Sequence, residues 1–146
     1  MTFKSLHYKS NKCVGCRLCE IACSLTNAQV INPERARIRI NRDHKNQVDN
    51  AIYCHQCKNA PCIEACEYEA LSRDPNTNAI IVEKDNCVAC ENCVQACPYS
   101  TPKLDPSRKF IFICDLCGGS PECVEICPEN AILYIENETK EGEDSN

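Results

Sequence analysis

Cysteine is the residue type of this chain that most clearly points to chemistry, because it makes up 16 of the 146 residues and falls into four runs of four. The first and third runs have the spacing C-x2-C-x2-C-x3-C, and the middle gap widens to four residues in the second run and five in the fourth. Proline directly follows the third and fourth runs, as Pro98 and Pro128. In chain order the runs are Cys13, Cys16, Cys19, Cys23; Cys54, Cys57, Cys62, Cys66; Cys87, Cys90, Cys93, Cys97; and Cys114, Cys117, Cys123, Cys127.

A run of this kind is suited to an iron–sulfur cubane. Three cysteines in a short loop bring their sulfurs onto three corners of the cluster, and the backbone N–H groups of the loop point at the cluster sulfides. The last cysteine lies four residues after the third, on one face of a short helix. It therefore reaches a neighbouring cluster, as in two-cluster bacterial ferredoxins, and a following proline ends the helix. The pattern predicts four [4Fe–4S] clusters with no cysteine left over.

Two other uses of cysteine fit the sequence less well. Structural zinc sites usually consist of separated C-x2-C pairs, each giving two ligands to one tetrahedral ion, whereas these runs are triplets followed by a single cysteine. Disulfides need an oxidising compartment, and no apolar leader or twin-arginine segment precedes Cys13. No stretch of about 18 apolar residues is present either, so we expect a cytoplasmic protein without a membrane span.

The rest of the composition is modest for a conventional core. Roughly a third of the chain is apolar once cysteine is left out, and there are no Trp and only three Phe residues. Bound clusters would therefore supply much of the folding free energy. Four clusters of about −2 each would take the formal charge from −5 to roughly −13. Such a charge argues against nucleic acid as a partner and for docking through local basic patches.

The segments between the runs read as short strands and turns. The apolar run Ala79–Val82 follows a turn at Asp74–Asn78 and pairs with Ala70-Leu71 in a hairpin. The segment Ala131–Ile135 follows the fourth run in the same way but has no downstream partner, because residues 136–146 read as a charged, disordered tail. Its natural partner is an N-terminal strand at Thr2–Tyr8. The first and fourth runs therefore form one unit, and the second and third runs form another.

This pairing predicts an α+β fold of two ferredoxin-like modules with pseudo-two-fold repeats, with short hairpins and short helices around four iron–sulfur clusters. The first module comprises residues 1–50 and 107–146, and the second comprises residues 51–106. Each cluster takes three ligands from one run and the fourth from the paired run, and we number each site by the run that gives three. Site 1 has Cys13, Cys16, Cys19 and Cys127; site 2 has Cys54, Cys57, Cys62 and Cys97; site 3 has Cys87, Cys90, Cys93 and Cys66; site 4 has Cys114, Cys117, Cys123 and Cys23.

Two connecting stretches and one histidine have further interpretations. The segment Arg35–Ile40 alternates as a strand would, which favours a solvated face that offsets cluster charge over a basic docking stripe. The segment Thr101–Lys109 reads as a connector between the modules. His55 lies inside the second cysteine loop, where it could donate a hydrogen bond to a cluster, although sixteen cysteines leave no need for a histidine ligand. No phosphate loop, nucleophile–base pair or paired carboxylates stand out, so no catalytic centre is expected.

The four runs together resemble the four-cluster electron-transfer subunits that accompany molybdenum or tungsten pterin enzymes, including dimethyl sulfoxide reductase, formate dehydrogenase and aldehyde oxidoreductase. Related subunits serve some hydrogenases and carbon monoxide dehydrogenases. In that family the runs pair first with fourth and second with third. The compact segment Cys114–Pro128 looks most like the aldehyde oxidoreductase-linked group, whereas Glu67 stands after Cys66 where the family often has proline. The resemblance covers roughly residues 1–135 and rests on Cys13–Cys19, Cys54–Cys62, Cys97–Tyr99 and Cys114–Cys117.

The resemblance implies a non-catalytic subunit that relays single electrons between a catalytic oxidoreductase subunit and a second redox partner. The catalytic subunit would be a tungsten or molybdenum pterin enzyme such as an aldehyde oxidoreductase. The alternatives are a free soluble polyferredoxin, the iron–sulfur subunit of a hydrogenase or carbon monoxide dehydrogenase, and a zinc-stabilised interaction module. Copies of the chain could also stack into a longer conductor.

Overall fold

The computed structural model describes residues 3–137, in which short antiparallel strand pairs alternate with short helices. The strands are β1 Phe3–Tyr8, β2 Arg39–Asp43, β3 Val48–Ile52, β4 Leu71–Arg73, β5 Ile80–Val82, β6 Lys103–Leu104, β7 Ile111–Phe112 and β8 Ile132–Asn137. The helices are α1 Leu18–Ala28, α2 Pro61–Glu64, α3 Asn92–Ala96 and α4 Glu122–Ile126, with 3₁₀ turns at Pro33–Arg35 and Leu116–Gly119. The fold is thus a small α+β domain of the ferredoxin-like kind.

The two strand pairings expected from the sequence are confirmed. β1 pairs antiparallel with β8, with Leu6 opposite Tyr134, so the two ends of the described chain meet. β4 pairs with β5, and backbone hydrogen bonds at Ala70 and Ala79 extend this hairpin beyond the strands. The predicted first strand began at Thr2, which lies outside the described residues. β8 reaches Asn137, two residues into the predicted tail, and the remaining tail residues 138–146 also lie outside them.

Two further hairpins correct the sequence interpretation. The predicted strand Arg35–Ile40 begins only at Arg39, because the Asn32 side chain accepts a hydrogen bond from the Glu34 N–H and starts a 3₁₀ turn with proline at its first position. β2 then returns as β3. The predicted connector Thr101–Lys109 contains β6 and the turn before β7, because Asp105 accepts hydrogen bonds from Ser107 and Arg108 and closes that turn.

In the third and fourth runs, proline after the fourth cysteine marks the end of the helix. Cys97 and Cys127 each precede a proline and adopt extended dihedral angles, φ −76° and ψ 119° for Cys97 and φ −67° and ψ 113° for Cys127. Proline disfavours helical angles in the residue before it, so α3 and α4 stop after five residues each. In the first run Ser24 follows Cys23, and α1 continues past it to Ala28, so that this helix is 11 residues long in all.

Buried apolar residues form two clusters, and cysteines are part of both. One cluster lies under β1, β8 and α1, with Leu6, Ile38, Leu116 and Ile132 among its members. The other lies under the β4–β5 and β6–β7 hairpins, with Leu71, Ile80, Ile111 and Ile113 among its members. No helix within residues 3–137 has the length and apolar character needed to cross a membrane.

Candidate metal centres

Each cysteine loop is shaped by a residue with left-handed backbone angles two positions after the first cysteine. These residues have φ between 51° and 70°, and they are Gly15, Gln56, Ala89 and Leu116. Glycine adopts such angles without strain, but three of these four residues are not glycine. The shape of the loop, rather than the residue type, therefore imposes the left-handed angles. The turn directs backbone N–H groups toward sulfur. In two runs the N–H of that residue lies 3.4 Å from the first cysteine, Gly15 to Cys13 Sγ and Gln56 to Cys54 Sγ.

Three cavities of the fold are each lined by four cysteines, three from one run and one from another. Three of the sets are lined up around cavities: site 1 by Cys13, Cys16, Cys19 and Cys127, site 3 by Cys66, Cys87, Cys90 and Cys93, and site 4 by Cys23, Cys114, Cys117 and Cys123. For site 2 the evidence that the thiols are neighbours is electrostatic. Burial and then Cys62, Cys57 and Cys97 raise the pKa of Cys54 to about 12. The four thiols of site 2 therefore lie close to one another.

The fourth cysteine of every run has a hydrogen-bond partner at its sulfur. In the second and fourth runs the donor is the backbone N–H four residues on, Ala70 to Cys66 at 3.3 Å and Ala131 to Cys127 at 3.4 Å. In the third run the Thr101 hydroxyl, again four residues on, lies 3.4 Å from Cys97 Sγ. In the first run, where α1 occupies that place, the donor is the Arg37 N–H at 3.1 Å. Such bonds stabilise a thiolate and tune the potential of a bound cluster.

Burial gives one thiol of each site a strongly raised pKa. Desolvation disfavours the charged thiolate, and it is the largest cause of a pKa of about 12 at Cys19, Cys54, Cys93 and Cys123. These thiols carry their protons at neutral pH until a metal displaces them. Loading of the sites therefore releases protons, and part of the binding free energy is folding free energy.

The cysteines line cavities, as ligands of a cubane would. Four sulfurs around tetrahedral zinc lie about 3.8 Å apart, given Zn–S bonds of about 2.3 Å. Within residues 3–137, no three Cys, His, Asp or Glu side chains converge closely enough to hold one metal ion. The sulfurs instead surround cavities, as ligands on the corners of a larger group do. The sixteen thiols and their N–H donors fit four [4Fe–4S] clusters.

Electrostatic coupling between thiols of different sets indicates which sites are neighbours. Burial raises the pKa of Cys123, and Cys19 contributes, which joins site 4 to site 1. Burial also raises the pKa of Cys114, and Cys54 contributes, which joins site 4 to site 2. Cys62 is the largest contributor after burial to the raised pKa of Cys93, which joins site 2 to site 3. The thiol sets therefore follow one another in the order 1, 4, 2, 3.

The two ends of this row are the exposed ones. Among the sixteen cysteines only Cys16, in site 1, and Cys90, in site 3, are exposed. The preceding valines are also exposed, Val14 by 59% and Val88 by 54%. The inner sites 4 and 2 have only buried and half-buried cysteines. Each end of the row thus presents a ligand and an apolar side chain at the surface.

Gln56 is a structural residue of these sites that the sequence did not single out. Its side chain is buried, donates from Nε2 to the Cys114 carbonyl at 2.7 Å, and accepts from the Ile80 N–H at 2.9 Å. One side chain therefore ties the second run to the fourth run and to β5. The signal in the sequence was weak, because a polar residue in a cysteine loop reads as solvent-facing.

His55 and the basic residues near the loops have local roles. The His55 ring stacks between two tyrosines, 4.6 Å from Tyr53 and 3.8 Å from Tyr99 between ring centroids. Burial lowers the pKa of His55. Arg17 lies in the first loop and pairs with Glu20 at 3.5 Å, and Glu20 in turn accepts from the Ile40 N–H at 2.7 Å.

Two arginines of Arg35–Ile40, Arg37 and Arg39, are engaged within the molecule rather than free in a stripe. Arg37 Nη1 lies 3.1 Å from Asp115 Oδ1, and Arg39 Nη2 donates to the Ser100 carbonyl at 2.9 Å. The apolar alternates Ala36, Ile38 and Ile40 are buried, as the predicted alternation requires. The structure favours the interpretation in which these cations offset nearby charge.

Comparison with known proteins agrees with this geometry. Residues 48–138 match the family described as "4Fe-4S dicluster domain". The chain is 44% identical over 119 residues to the "Aliphatic sulfonate oxidoreductase, polyferredoxin-like subunit" of Pyrococcus furiosus, covering 82% of this chain and 68% of that protein. It is 31% identical to the "Thiosulfate reductase electron transfer subunit PhsB" of Salmonella typhi, covering 87% of this chain and 72% of that protein.

A solved structure has a similar fold. The active-site complex BamBC of benzoyl coenzyme A reductase, as isolated, contains a chain that matches with a TM-score of 0.58 at 25% identity, covering 99% of this chain and 83% of that one. Family match, relatives and site geometry agree. The chain belongs to the ferredoxin-like iron–sulfur electron-transfer subunits with 4Fe-4S dicluster domains.

Proposed function

We propose that the chain is the electron-transfer subunit of an oxidoreductase complex and connects a catalytic subunit with a second redox partner. When bound, each [4Fe–4S] cluster accepts and releases one electron. The observation that carries the proposal is the row of thiol sets in the order 1, 4, 2, 3, with exposed cysteines at its two ends alone. The role of this chain is to hold, space and insulate the groups; it supplies no catalytic residue.

The ligand sets and the two modules are part of the proposal. Sites 1 and 4 belong to the first module, and sites 2 and 3 belong to the second. The coupling of Cys114 with Cys54 then marks the passage between modules, and the hydrogen bond from Gln56 to the Cys114 carbonyl holds that passage together. The β6–β7 hairpin crosses the predicted boundary at residue 107, since Ile111 and Ile113 pack in the core of the second module.

Each end of the row has an apolar surface suited to a protein partner. At site 1 the exposed Val14 is accompanied by Leu18, which is 37% exposed. At site 3 the exposed Val88 is accompanied by Tyr68, which is 47% exposed. Exposed apolar side chains surrounded by polar residues are typical of protein interfaces. Docking there brings a partner's redox group close to the exposed cysteine of an end site.

The catalytic partner is proposed to be a tungsten or molybdenum pterin enzyme of the aldehyde oxidoreductase kind. The resemblance of the cysteine runs supports this class. The names of the Pyrococcus and Salmonella relatives, a sulfonate oxidoreductase subunit and a thiosulfate reductase electron-transfer subunit, support the coarser statement that the partner is an oxidoreductase subunit.

Anaerobic purification of the tagged chain from its own organism tests the proposal. We expect a large subunit in fixed proportion, about sixteen irons per copy of this chain, and tungsten or molybdenum in the complex. A brown chain that purifies alone would favour a free polyferredoxin. A colourless chain with about four zinc ions would overturn electron transfer altogether. A large subunit that contains neither tungsten nor molybdenum would support the electron-transfer role but overturn the proposal of a pterin enzyme as partner.

Substitutions at the two ends separate docking from cluster loading. Val14→Asp and Val88→Asp should each weaken the attachment of one partner while iron content and visible spectrum stay unchanged. Val48→Asp is a matched control, because Val48 is 38% exposed on the β2–β3 hairpin and borders none of the cysteine cavities described above. Equal loss of partners in all three variants would contradict docking at the ends of the row.

A further inference from the structure

A cavity of about 70 Å³, lined by charged and aromatic side chains, lies between the end of α1 and the β6–β7 hairpin. That volume exceeds the roughly 10–15 Å³ that a cavity needs to hold one water molecule. Three of its lining residues are cationic and one is anionic. The lining consists of Asn27, Ala28, Arg35, Arg37, Lys84, Asp105, Phe110 and Phe112.

Arg35, one of the lining residues, has a buried donor without a hydrogen-bond partner. Its Nε is buried and has no hydrogen-bond partner among the described residues. The nearest anionic atom, Asp105 Oδ1, is 3.9 Å away, which is too far for a hydrogen bond. The other carboxylate oxygen of Asp105 accepts from the Ser107 N–H at 2.8 Å, so that side chain is held by its own turn. A buried donor without a partner is destabilising.

The other two cations have donor capacity to spare. The side chain of Arg37 is only 15% exposed and uses Nη1 on Asp115, 3.1 Å away. An arginine has five N–H donors, so most of them remain for another acceptor. Lys84 Nζ lies over the Phe110 ring, 4.6 Å from its centroid, and within residues 3–137 no carboxylate lies within 4.0 Å of it. The cavity thus concentrates positive charge in a chain whose formal charge is −5.

We propose that this cavity binds a small tetrahedral oxyanion of the phosphate or sulfate class. The guanidinium groups of Arg35 and Arg37 would hold two of its oxygens through charge-assisted hydrogen bonds. Such bonds are stronger than hydrogen bonds between neutral groups. Lys84 adds a point charge. The free ion and the phosphate group of a larger molecule share this chemistry.

The cavity is connected to site 4 through one side chain. Asn27 lines the cavity, and its Nδ2 donates to the Cys23 carbonyl at 2.9 Å and lies 3.7 Å from Cys23 Sγ and 3.8 Å from Cys117 Sγ. Arg37 lines it too, and its backbone N–H donates to Cys23 Sγ. An anion here adds negative charge near site 4, which disfavours the more negative, reduced state. Anion binding therefore lowers the reduction potential of one cluster, and by linkage the oxidised protein binds the anion more tightly.

Isothermal titration of the iron-loaded, oxidised chain with inorganic phosphate, at constant ionic strength, tests the site. We expect saturable binding of one phosphate, weakened at least tenfold by Arg35→Gln and by Lys84→Gln. Lys45→Gln is the matched control, since it removes one exposed cation on the β2–β3 turn. Iron content and visible spectrum of each variant show that the sites are loaded, and the lysine variant suffices if the arginine variant fails to load.

The outcomes separate the alternatives. No saturable heat up to about 10 mM phosphate, or the same loss in all three variants, would overturn the site and leave only a general attraction of anions to surface cations. A redox titration with phosphate should move one of four potentials downward, and equal movement of all four would likewise contradict it. Glycerol 3-phosphate distinguishes the sources: binding as tight as inorganic phosphate assigns the site to the phosphate group of a larger molecule, and exclusion assigns it to the free ion.

Discussion

The first and third runs have the same cysteine spacing, yet the helix that carries the third cysteine is 11 residues long in the first run and five in the third. The difference lies in one residue, Ser24 after Cys23 against Pro98 after Cys97. Ser24 is fully buried; its hydroxyl donates to the Ile21 carbonyl at 3.1 Å and accepts from the Asn32 N–H at 3.2 Å. Between these two runs, which share their cysteine spacing, the residue after the fourth cysteine accounts for how much helix follows.

The extra helix changes the surface at the first run. Leu18, Ile21 and Leu25 recur at helical spacing on α1 and are 37%, 37% and 49% exposed. They form an apolar face that α3, only five residues long, has no room to build. Sites 1 and 3, equal in their ligands, therefore present unlike surfaces to partners.

The largest effect is expected from removal of one ligand in either run. Cys19→Ser and Cys93→Ser each take a buried sulfur from one site. Each variant should fall from about sixteen irons to about twelve, or convert one cluster to a three-iron form, while the other three clusters survive. Iron analysis and electron paramagnetic resonance of the reduced protein check this. Retention of all sixteen irons, as regular four-iron clusters, would contradict the proposed ligand sets.

Ser24→Pro puts a proline after the fourth cysteine of the first run, as in the third run. Its effect on stability should be the next largest. Proline inside a helix removes a backbone hydrogen bond and clashes with the preceding turn, at a cost of about 3 kcal/mol or more. It also removes the hydroxyl that holds Asn32. We expect clusters to bleach at a clearly lower temperature, with loss of helical circular dichroism. The reverse change, Pro98→Ser, should cost little, and equal destabilisation by both would contradict the comparison.

The parts of the fold that the sequence predicted follow from strong local signals. The four runs, the turn at Asp74–Asn78 and the apolar segment Ala131–Ile135 were enough for both confirmed strand pairings. The β2–β3 hairpin was missed because charged and polar residues interrupt its apolar pattern, as in Arg39–Asp43. The β6–β7 hairpin was missed because β6 is only two residues long and lies between Pro102 and Pro106, which favour a connector. The burial of both hairpins comes from packing against cysteine loops, a tertiary effect that local propensity does not contain.

The cavity of Arg35, Arg37 and Lys84 was out of reach for a related reason. Its cations come from segments about 50 residues apart in sequence, and only the fold brings them around one space. The left-handed residues Gln56, Ala89 and Leu116 were equally hidden, because glycine, the residue that signals such angles, occurs at that position only in the first run.

Gly15 and Ala89 occupy the same position in the first and third cysteine loops, so the substitutions Gly15→Ala and Ala89→Gly test the comparison within the loops. A Cβ on Gly15, at φ 70°, would lie 3.0 Å from both carboxylate oxygens of the buried Asp49. Gly15→Ala should destabilise by about 1–2 kcal/mol from the left-handed angle alone, and further through this contact. Ala89, at φ 56°, already bears that strain, so Ala89→Gly should change stability by less than about 1 kcal/mol. Bleaching temperatures of the two iron-loaded variants measure the difference, and similar losses in both would refute it.

The smallest effect is expected at the hydrogen bond to the fourth cysteine. In the first run the donor to Cys23 is a backbone N–H, whereas in the third run it is the Thr101 hydroxyl at 3.4 Å from Cys97 Sγ. Thr101→Val keeps the shape of this buried side chain and removes the donor. The reduced, more negative state then loses more stabilisation than the oxidised one, so the potential of site 2 should fall by roughly 20–60 mV, where 59 mV is tenfold for one electron. Thr101→Ser restores a hydroxyl and should restore the potential. Two results would show that the hydroxyl has no part in tuning: all four potentials unchanged in Thr101→Val, or the same lowered potential in Thr101→Ser as in Thr101→Val. The third run would then differ from the first only in the length of its helix.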